Sequence, residues 1–399
     1  MIRVLFVDDE PMVLRGLQRM LSEIDCDWQM EFVESGDEAL ALLAEQAFDV
    51  VVSDMRMPKM DGASLLNEVR RRYPDMVRIV LSGHSERELI LRCVGATHRY
   101  LAKPCDAQDL RRTVMQAVAL RQTLTNSSLR SLVSQMSRIP SAPHFYREIV
   151  NQVQAPEKSL RDLGRTISQD IGMTAKILHI VNSAFFGLPR HVSDPVHATC
   201  LLGFDVMRAL VMTAHIFTEL GNHGTDDLGI DSLWNHSTQT GAIARNIATA
   251  EGRDPQECDH AFMAGLLHDT GKLILAVNLP GQYREMVALS TEKGVAPLAA
   301  ERHVFGATHA EVGAYLLGLW GLPDPTVEAV AFHHRPGECL AATFAPVTAV
   351  HVADALQHEQ HGTPGELQAG QLDPDYLERL KLTERLPVWR EQCVPETDR

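Results

Sequence analysis

The chain has 399 residues, of which 45% are hydrophobic and 22% are charged. This composition is typical of a globular protein with two or three domains, and it excludes a disordered, a collagen-like or a single small disulfide-stabilised protein. The formal net charge of −15 disfavours nonspecific attraction to nucleic acid. The first residues do not resemble an export signal, no long apolar run occurs, and the seven cysteines form no CxxC pair. We therefore expect a cytoplasmic protein that does not span a membrane.

Residues 1–120 alternate short apolar runs with amphipathic segments. The predicted strands are Arg3–Val7, Met30–Val33, Val50–Ser53, Arg78–Leu81 and Arg99–Ala102. The predicted helices are Pro11–Glu23, Gly36–Gln46, Gly62–Arg72, Glu86–Val94 and Asp106–Leu120. This alternation predicts a doubly wound α/β domain with a five-stranded parallel sheet. The carboxyl ends of such strands collect at one edge of the sheet, where ligands bind.

The pattern changes after residue 120. Residues 121–137 are polar and serine-rich, which predicts a linker that is helical in its second half. From residue 138 to 356, apolar residues recur every three to four positions without strand alternation, which predicts an all-α domain. Residues 357–399 are polar, so we expect a tail with a short helix, Tyr376–Leu380, and no separate core.

Polar residues follow four strands of the predicted sheet. Asp8 and Asp9 follow the first strand, Asp54 the third, Ser82 ends the fourth, and Lys103 follows the fifth. Three carboxylates at one sheet edge suit Mg²⁺, and a carboxylate beside the metal could accept a phosphoryl group. The hydroxyl and the ammonium could then contact the phosphoryl oxygens. The alternative is that these acids only cap the helices that follow them.

Four stretches, FVDDE, VVSDMRMPKMDG, VLSG and YLAKP, resemble the motifs of the response-regulator receiver family across residues 1–120. The resemblance implies that Asp54 is the phosphoacceptor and that a sensor histidine kinase is the phosphodonor. It also implies roles for the surrounding residues: Mg²⁺ binding by Asp8 and Asp9 with the carbonyl of Arg56, a conformational switch formed by Ser82 and Tyr100, and a phosphoryl contact from Lys103.

Histidine and aspartate residues accumulate in the helical region. The ligand-type residues, in chain order, are His236, His268, Asp269, His309, His333, His334 and Asp354. Imidazole and carboxylate groups are ligands for divalent transition metals, and an aspartate can bridge two ions. Lys272 lies one helical turn after His268 and could contact a bound phosphate. The alternative is that each histidine is an ordinary hydrogen-bonded residue of the core or surface.

The order of these residues resembles that of the metal-dependent HD phosphohydrolase superfamily, which implies Fe, Mn or other divalent ions with a bound hydroxide that attacks phosphorus. A narrower resemblance, over roughly residues 131–356, is to the HDOD output domain. It rests on segments such as ISQDIGMTAKILHIVNSAFFGLP, GLLHDTGKL, HAEVGAYLLGLWGLP and AFHHRP. HDOD domains are signalling or protein-interaction modules without a settled reaction. No Gly-Tyr-Pro sequence lies between His334 and Asp354, which disfavours cyclic di-GMP hydrolysis.

Together these patterns predict a receiver domain over 1–120, a linker over 121–137, an HDOD domain over 138–356 and a tail over 357–399. Phosphorylation of Asp54 would control the HDOD effector, which would act by binding a downstream protein of unknown identity, with no catalytic activity assigned beyond receiver phosphoryl transfer. The alternative is an HD-type phosphohydrolase gated by the receiver. We expect no DNA binding, since no recognition helix follows the linker; homodimerisation is a hypothesis from the resemblance. Asn182 should satisfy buried backbone groups, and Trp320 should pack between helices.

Overall fold

A computed structural model describes most of the chain. The described residues are 2–22, 28–82, 96–120, 124–136, 148–149, 152, 159–182, 192–212, 230–339, 341–361 and 371–391. The predicted helix Glu86–Val94 lies outside them. None of the helices in the described part is long and apolar enough to cross a membrane.

The first half of the described chain is a parallel sheet covered by helices. Its strands are β1 (Ile2–Val7), β2 (Trp28–Val33), β3 (Val50–Asp54), β4 (Val77–Ser82) and β5 (Arg99–Ala102). They pair in the order β2-β1-β3-β4-β5, and every pair is parallel. The helices of this half are α1 (Pro11–Ser22), α2 (Gly36–Glu45), α3 (Gly62–Arg72) and α4 (Ala107–Leu120). The predicted α/β fold is confirmed.

Burial explains why these strands read as continuous apolar runs. Val4, Leu5 and Phe6 of β1 are fully buried, as are Val50 and Val51 of β3. A parallel strand is covered by helices on both faces, so both of its faces favour β-branched and other apolar side chains. The polar residues that break this pattern therefore stand out at the strand ends.

The remainder of the described chain is helical, which confirms the predicted all-α architecture. The linker contains α5 (Ser127–Ser134), which begins at the side-chain cap of Asn126. The helices that follow are α6 (Leu160–Ile167), α7 (Ile171–Val181), α8 (Pro195–Met212), α9 (Ile230–Ala250), α10 (Pro255–Leu267), α11 (Thr270–Asn278), α12 (Pro280–Lys293), α13 (Pro297–Phe305), α14 (His309–Leu319), α15 (Asp324–Phe332), α16 (Pro346–His361), α17 (Pro374–Arg379) and α18 (Leu386–Glu391).

Two clusters of buried apolar residues organise the molecule. The larger one is continuous from the sheet through α5 and α7 to α14, so the α/β and helical halves share a core. The smaller one joins α9, α10 and α16 to the C-terminal helices. Trp389 of α18 is fully buried there, and Tyr376 of α17 joins it. The segment predicted as a polar tail thus contributes apolar side chains to the core of the helical half.

Two smaller predictions are confirmed. The Asn182 side-chain amide donates hydrogen bonds to the carbonyls of Leu178 and Val192, and its oxygen accepts one from the Val192 backbone N–H. Trp320 is buried at the end of α14. Both residues are therefore explained by packing and backbone satisfaction.

Candidate functional site

A carboxylate pocket lies at the carboxyl ends of β1, β3 and β5. Asp8 and Asp54 are buried, and Lys103 lies between them. The Lys103 ammonium donates a hydrogen bond to Asp8 Oδ2 at 2.7 Å and another to Asp54 Oδ1. The Arg56 backbone N–H donates to Asp54 Oδ2 at 2.6 Å. Three residues from separate strand ends therefore meet as the sequence predicted.

Local sequence creates this geometry. Asp8 follows β1 and Asp54 ends β3, and these strands pair side by side. Gly62 begins α3 directly over the end of β3. A Cβ at Gly62 would lie 2.1 Å from the Asp54 carbonyl oxygen, so only glycine permits this close approach. The start of α3 thereby packs directly against the backbone of Asp54.

Burial and the neighbouring opposite charge shift the pKa of Asp54 in opposite directions, and the same holds for Lys103. Burial raises the pKa of Asp54, and the hydrogen bond from Lys103 offsets only part of that rise. Burial would lower the pKa of Lys103, but the hydrogen bonds and charges of Asp54 and Asp8 outweigh it and raise the pKa. Lys103 is therefore held in its charged form beside Asp54.

The other predicted receiver residues, Asp9, Ser82 and Tyr100, have no described contact with Asp54. Asp9 lies half-buried next to Asp8 in the chain. Ser82 ends β4 with its backbone beside Ala102 of β5, while its side chain lies outside the described structure. Tyr100 is buried, and its ring lies 5.8 Å from the ring of His179 in α7, measured between centroids. Its described aromatic contact is therefore with the helical half.

All seven ligand-type residues predicted in the helical half converge. They form two groups, and within each group the ligand atoms lie within 4.8 Å of one another. One group is Asp269, His309, His333 and His334, and the other is His236, His268 and Asp354. We call the two groups together the histidine–aspartate cluster. They come from α9, α14 and α16, from the junction of α10 and α11, and from the end of α15. Tertiary packing thus joins residues separated by more than a hundred positions in the chain.

Asp269 joins the two groups. Its Oδ1 lies 3.1 Å from His309 Nε2 and 4.0 Å from His333 Nε2. Its Oδ2 lies 3.4 Å from His268 Nε2 and 3.9 Å from His236 Nε2. The carboxylate therefore presents one oxygen to each group, as a bridging ligand would.

Hydrogen bonds orient the histidines. His268 Nδ1 donates to the Gly265 carbonyl at 2.7 Å, and His333 Nδ1 donates to the Val330 carbonyl at 2.8 Å. These bonds fix the tautomers and leave each Nε2 lone pair facing the cluster. His268 Nε2 lies 3.2 Å from the Nε2 of His236. Ring nitrogens that face one another at this distance repel unless a proton or cation lies between them.

The cluster favours positive charge at its centre. Burial alone would raise the pKa of Asp269, but the charges of His268 and Lys272 hold that pKa well below its usual range. Burial, followed by the neighbouring histidine charges, lowers the pKa of His333 far below that of free imidazole. Asp269 is therefore an ionised carboxylate and His333 a neutral imidazole, which fits a divalent transition metal such as Fe or Mn. Burial would lower the pKa of His309, but the charge of Glu301 outweighs it and raises that pKa to about 9, so a metal ion would displace a proton from His309.

Two further residues belong to this site although the sequence analysis did not identify them. Glu301 of α13 is buried, and its carboxylate accepts a hydrogen bond from His309 Nδ1 at 2.8 Å. His358 lies one turn after Asp354 on α16, with its Nδ1 3.0 Å from Asp354 Oδ1. The four-residue spacing could have indicated His358. No local signal indicates Glu301.

Lys272 lies beside the cluster, as predicted. Its ammonium donates a hydrogen bond to Asp269 Oδ2 at 2.7 Å, and a quarter of its side chain is exposed. Burial opposes its charge, but the nearby Asp269 carboxylate outweighs that effect and raises the pKa of Lys272. A permanently charged lysine at the edge of the cluster could bind a phosphate oxygen.

The α/β region and the helical region each match a known protein family. Residues 4–115 match the family model of the response regulator receiver domain, and residues 139–336 match that of the HDOD domain. An uncharacterized protein of Treponema pallidum is 29% identical over 228 residues, which is 56% of this chain and 44% of that protein. The hydrogenase transcriptional regulatory protein HoxA of Cupriavidus necator is 42% identical over 117 residues, covering 29% of this chain and 24% of HoxA. The match thus spans less than half the length of either curated relative.

Solved structures include a similar response regulator, MmoQ of Methylococcus capsulatus, which is 25% identical over 63% of this chain and 97% of its own, with a TM-score of 0.47. The signal receiver domain of an HD domain-containing protein from Pseudomonas fluorescens is 33% identical over 31% of this chain and 98% of its own, with a TM-score of 0.29. The regions matched by the two family models, the five-stranded sheet and the helical half agree on one conclusion. This chain belongs to the response regulators of phosphorelay signalling, with a receiver domain followed by an HDOD domain.

Proposed function

We propose that Asp54 is the phosphoacceptor of this response regulator and that a histidine kinase supplies the phosphoryl group. The observation that carries this proposal is the Lys103 ammonium shared between Asp8 and Asp54 at the strand ends. A cation already positioned beside Asp54 can neutralise the charge that a phosphoryl group brings. Asp8 and Asp9, with the Arg56 carbonyl, would hold Mg²⁺, which supplies further charge neutralisation when bound.

The pocket residues divide the work of phosphoryl transfer. An Asp54 carboxylate oxygen attacks phosphorus, and the imidazole of the donor histidine leaves. Lys103 keeps its charge through this step because Asp8 also holds it. The Arg56 backbone N–H orients the second Asp54 oxygen. The new acyl phosphate adds about 1.5 to 2 negative charges next to Lys103, and this charge is the signal.

The HDOD half is the proposed effector, and it acts by binding a downstream protein. Its histidine–aspartate cluster is proposed to hold one or two divalent metal ions between Asp269, Asp354 and the histidines. The cluster is buried within the bundle, and α14 and α16 carry its ligands. Ions held there would fix the relative positions of those helices, and hence the shape of the surface offered to a partner.

Phosphorylation with a small donor tests the first proposal. The full chain is incubated with acetyl phosphate and Mg²⁺, and intact mass is measured. We expect wild type to gain one phosphoryl group and Asp54→Asn to gain none. Asp61→Asn is the matched control, because Asp61 caps the neighbouring helix α3 and should still permit labelling. Equal labelling of Asp54→Asn and wild type would refute the assignment.

Metal-dependent phosphoester hydrolysis is a second candidate function. The observation that favours it is the position of Lys272 beside two potential ion sites bridged by Asp269. Metal-loaded protein would be assayed with generic phosphodiesters and nucleotides, with and without Asp269→Asn. Turnover that this substitution abolishes would support hydrolysis, whereas metal binding without turnover would leave only the protein-binding effector.

A further inference from the structure

We propose that α14 is the element that connects the receiver to the histidine–aspartate cluster. One end of this helix contacts the receiver and linker, and its first residue is His309 of the cluster. The inference rests on the proposed phosphorylation of Asp54 and names the route by which that event reaches the cluster. The route consists of two receiver-side contacts, the helix itself, and a tight junction at its first residue.

The first contact starts at Tyr100 of β5. Its ring lies 5.8 Å from the His179 ring, and the His179 ring lies 5.4 Å from that of Trp320, between centroids. His179 Nδ1 also donates a hydrogen bond to the Trp320 carbonyl. Trp320 is the C-terminal cap of α14. A shift of Tyr100 therefore alters the packing of the residue that ends this helix.

The second contact joins the linker to the same helix. The hydroxyl groups of Ser134, at the end of α5, and Tyr315, in α14, are hydrogen-bonded at 2.8 Å. The Ser134 carbonyl accepts a hydrogen bond at 2.6 Å from Arg78, which is buried in β4. Besides these buried bonds, an exposed one from Gln116 of α4 to Asp324, at 2.9 Å, lies beyond the end of α14. The receiver sheet, the linker and α14 are thus tied through buried polar groups.

The helix is built to move as one body. Its eleven residues span about 16 Å at 1.5 Å per residue. The Thr308 hydroxyl accepts from the Glu311 backbone N–H, and the Glu311 carboxylate accepts from the Thr308 N–H, which closes the first turn. A displacement at Tyr315 is therefore carried along the axis to His309.

The junction at the other end is tight. A Cβ at Gly271 would lie 1.9 Å from the His309 carbonyl oxygen, so the backbones of α11 and α14 are in direct contact. Asp269 immediately precedes α11 and bridges the two ligand groups. Movement of α14 is therefore passed directly to α11 and to Asp269 before it, because no flexible side chain separates the two backbones.

The contacts of Lys103 and Tyr100, which lie close together in the chain, set the direction of the effect. Lys103 is bonded to Asp54 while Tyr100 packs against His179. A phosphoryl group on Asp54 competes for Lys103 and draws the neighbouring ends of β4 and β5 toward the pocket. That movement takes Tyr100 away from His179. Phosphorylation is thus expected to loosen the receiver-side end of α14.

Hydrogen exchange of the full chain tests this route. Peptides covering α14 are compared with and without acetyl phosphate and Mg²⁺, and phosphoryl loading is read from intact mass. We expect loading to speed exchange in α14 by about threefold or more. Tyr315→Phe removes one hydrogen bond and should speed exchange about fivefold without phosphorylation, the factor for about 1 kcal/mol. Tyr376→Phe is the control, because this equally buried tyrosine makes a similar hydroxyl bond, to Thr348, away from the receiver.

The outcomes separate this inference from the proposed function. Full loading with unchanged α14 exchange overturns the route, and so does an equal response of the two tyrosine variants. His179→Leu provides a second disruption, which should reproduce the effect of Tyr315→Phe. The rate of Mn²⁺ loss is measured in parallel and should rise with loading. If Mn²⁺ does not bind at all, the metal proposal fails, whereas the exchange data still decide the route.

Discussion

The two candidate sites of this chain are built in opposite ways. The receiver pocket gathers residues from neighbouring strand ends, where the Lys103 ammonium contacts the Asp8 and Asp54 carboxylates. The histidine–aspartate cluster gathers residues from distant helices, where imidazoles surround the Asp269 carboxylate. Both sites bury their carboxylates and leave part of a lysine exposed, 28% for Lys103 and 25% for Lys272. The difference lies in the donor groups: an ammonium beside carboxylates suits a phosphoryl group that arrives and leaves, whereas imidazoles around a carboxylate suit ions that stay bound and hold helices together.

The sharpest test of this contrast is removal of the bridging carboxylate. Asp269→Asn should abolish most Mn²⁺ binding, because both ligand groups lose a charged oxygen. The loss should exceed the roughly 10–100-fold expected when only an outer hydrogen-bond partner is removed. Receiver labelling by acetyl phosphate should persist. Bound metal is measured by elemental analysis after dialysis.

Asp259→Asn is the matched control for that measurement. Asp259 lies on α10, the helix that ends just before His268, and it pairs with Arg245 at 2.9 Å outside the cluster. Its amide variant should keep the metal content of wild type. Metal retained by Asp269→Asn at the wild-type level would show that Asp269 is not a ligand of the bound metal.

The next test concerns the base of the receiver sheet, at the end opposite the pocket. Arg78 is buried and donates to the carbonyls of Ala96, Met76 and Ser134. Arg78→Met leaves these acceptors unpaired and should lower the free energy of unfolding by about 3 kcal/mol. Arg71→Met, which removes only an exposed pair with Glu68, should leave it near that of wild type. Similar denaturation midpoints for the two variants would contradict the structural role of Arg78.

Glu301 tests whether a residue that only orients a ligand of the histidine–aspartate cluster matters for metal binding. Glu301→Gln keeps the shape of the side chain but weakens its hold on His309 Nδ1. We expect Mn²⁺ affinity to fall by about 10–100-fold, as for other partners that orient a metal-binding histidine. Isothermal titration calorimetry with Mn²⁺ measures this change in affinity. Glu311→Gln is the control, because the Glu311 carboxylate accepts from Arg302 and from the Thr308 N–H and an amide oxygen can replace it; this variant should leave the affinity near that of wild type.

The smallest expected effect is a pH dependence at the junction of the two halves. Burial, followed by the charge of Arg78, holds the pKa of His98 well below 6.5; the guanidinium of Arg99 and the buried imidazole of His179 are its other titratable neighbours. The unfolded chain therefore takes up a proton as pH falls below about 6.5, and the folded chain does not. Because of His98, the free energy of unfolding should fall by up to about 1.4 kcal/mol for each pH unit below about 6.5. His98→Gln should show a correspondingly shallower loss between pH 6.5 and 5.5, and an unchanged slope would contradict this.

Much of the receiver could be predicted because its signals are local. Strand, loop and polar residue follow one another within a few positions, and parallel pairing brings the loops to one edge. Asp54 and Lys103 therefore met as expected from their positions after β3 and β5. The convergence of His236, His268 and Asp354 could be inferred only from the resemblance, since their spacing in the chain carries no geometry.

The sequence by itself determined the alternation of strands and helices, the polar residues at the strand ends and the types of ligand available. Only the tertiary structure decided that Glu301 holds His309, that Tyr100 faces His179, and that Ser134 meets both Arg78 and Tyr315. The physical reason is range. Periodicity and capping act between residues a few positions apart, whereas these contacts depend on how whole helices pack, which no short stretch of sequence specifies.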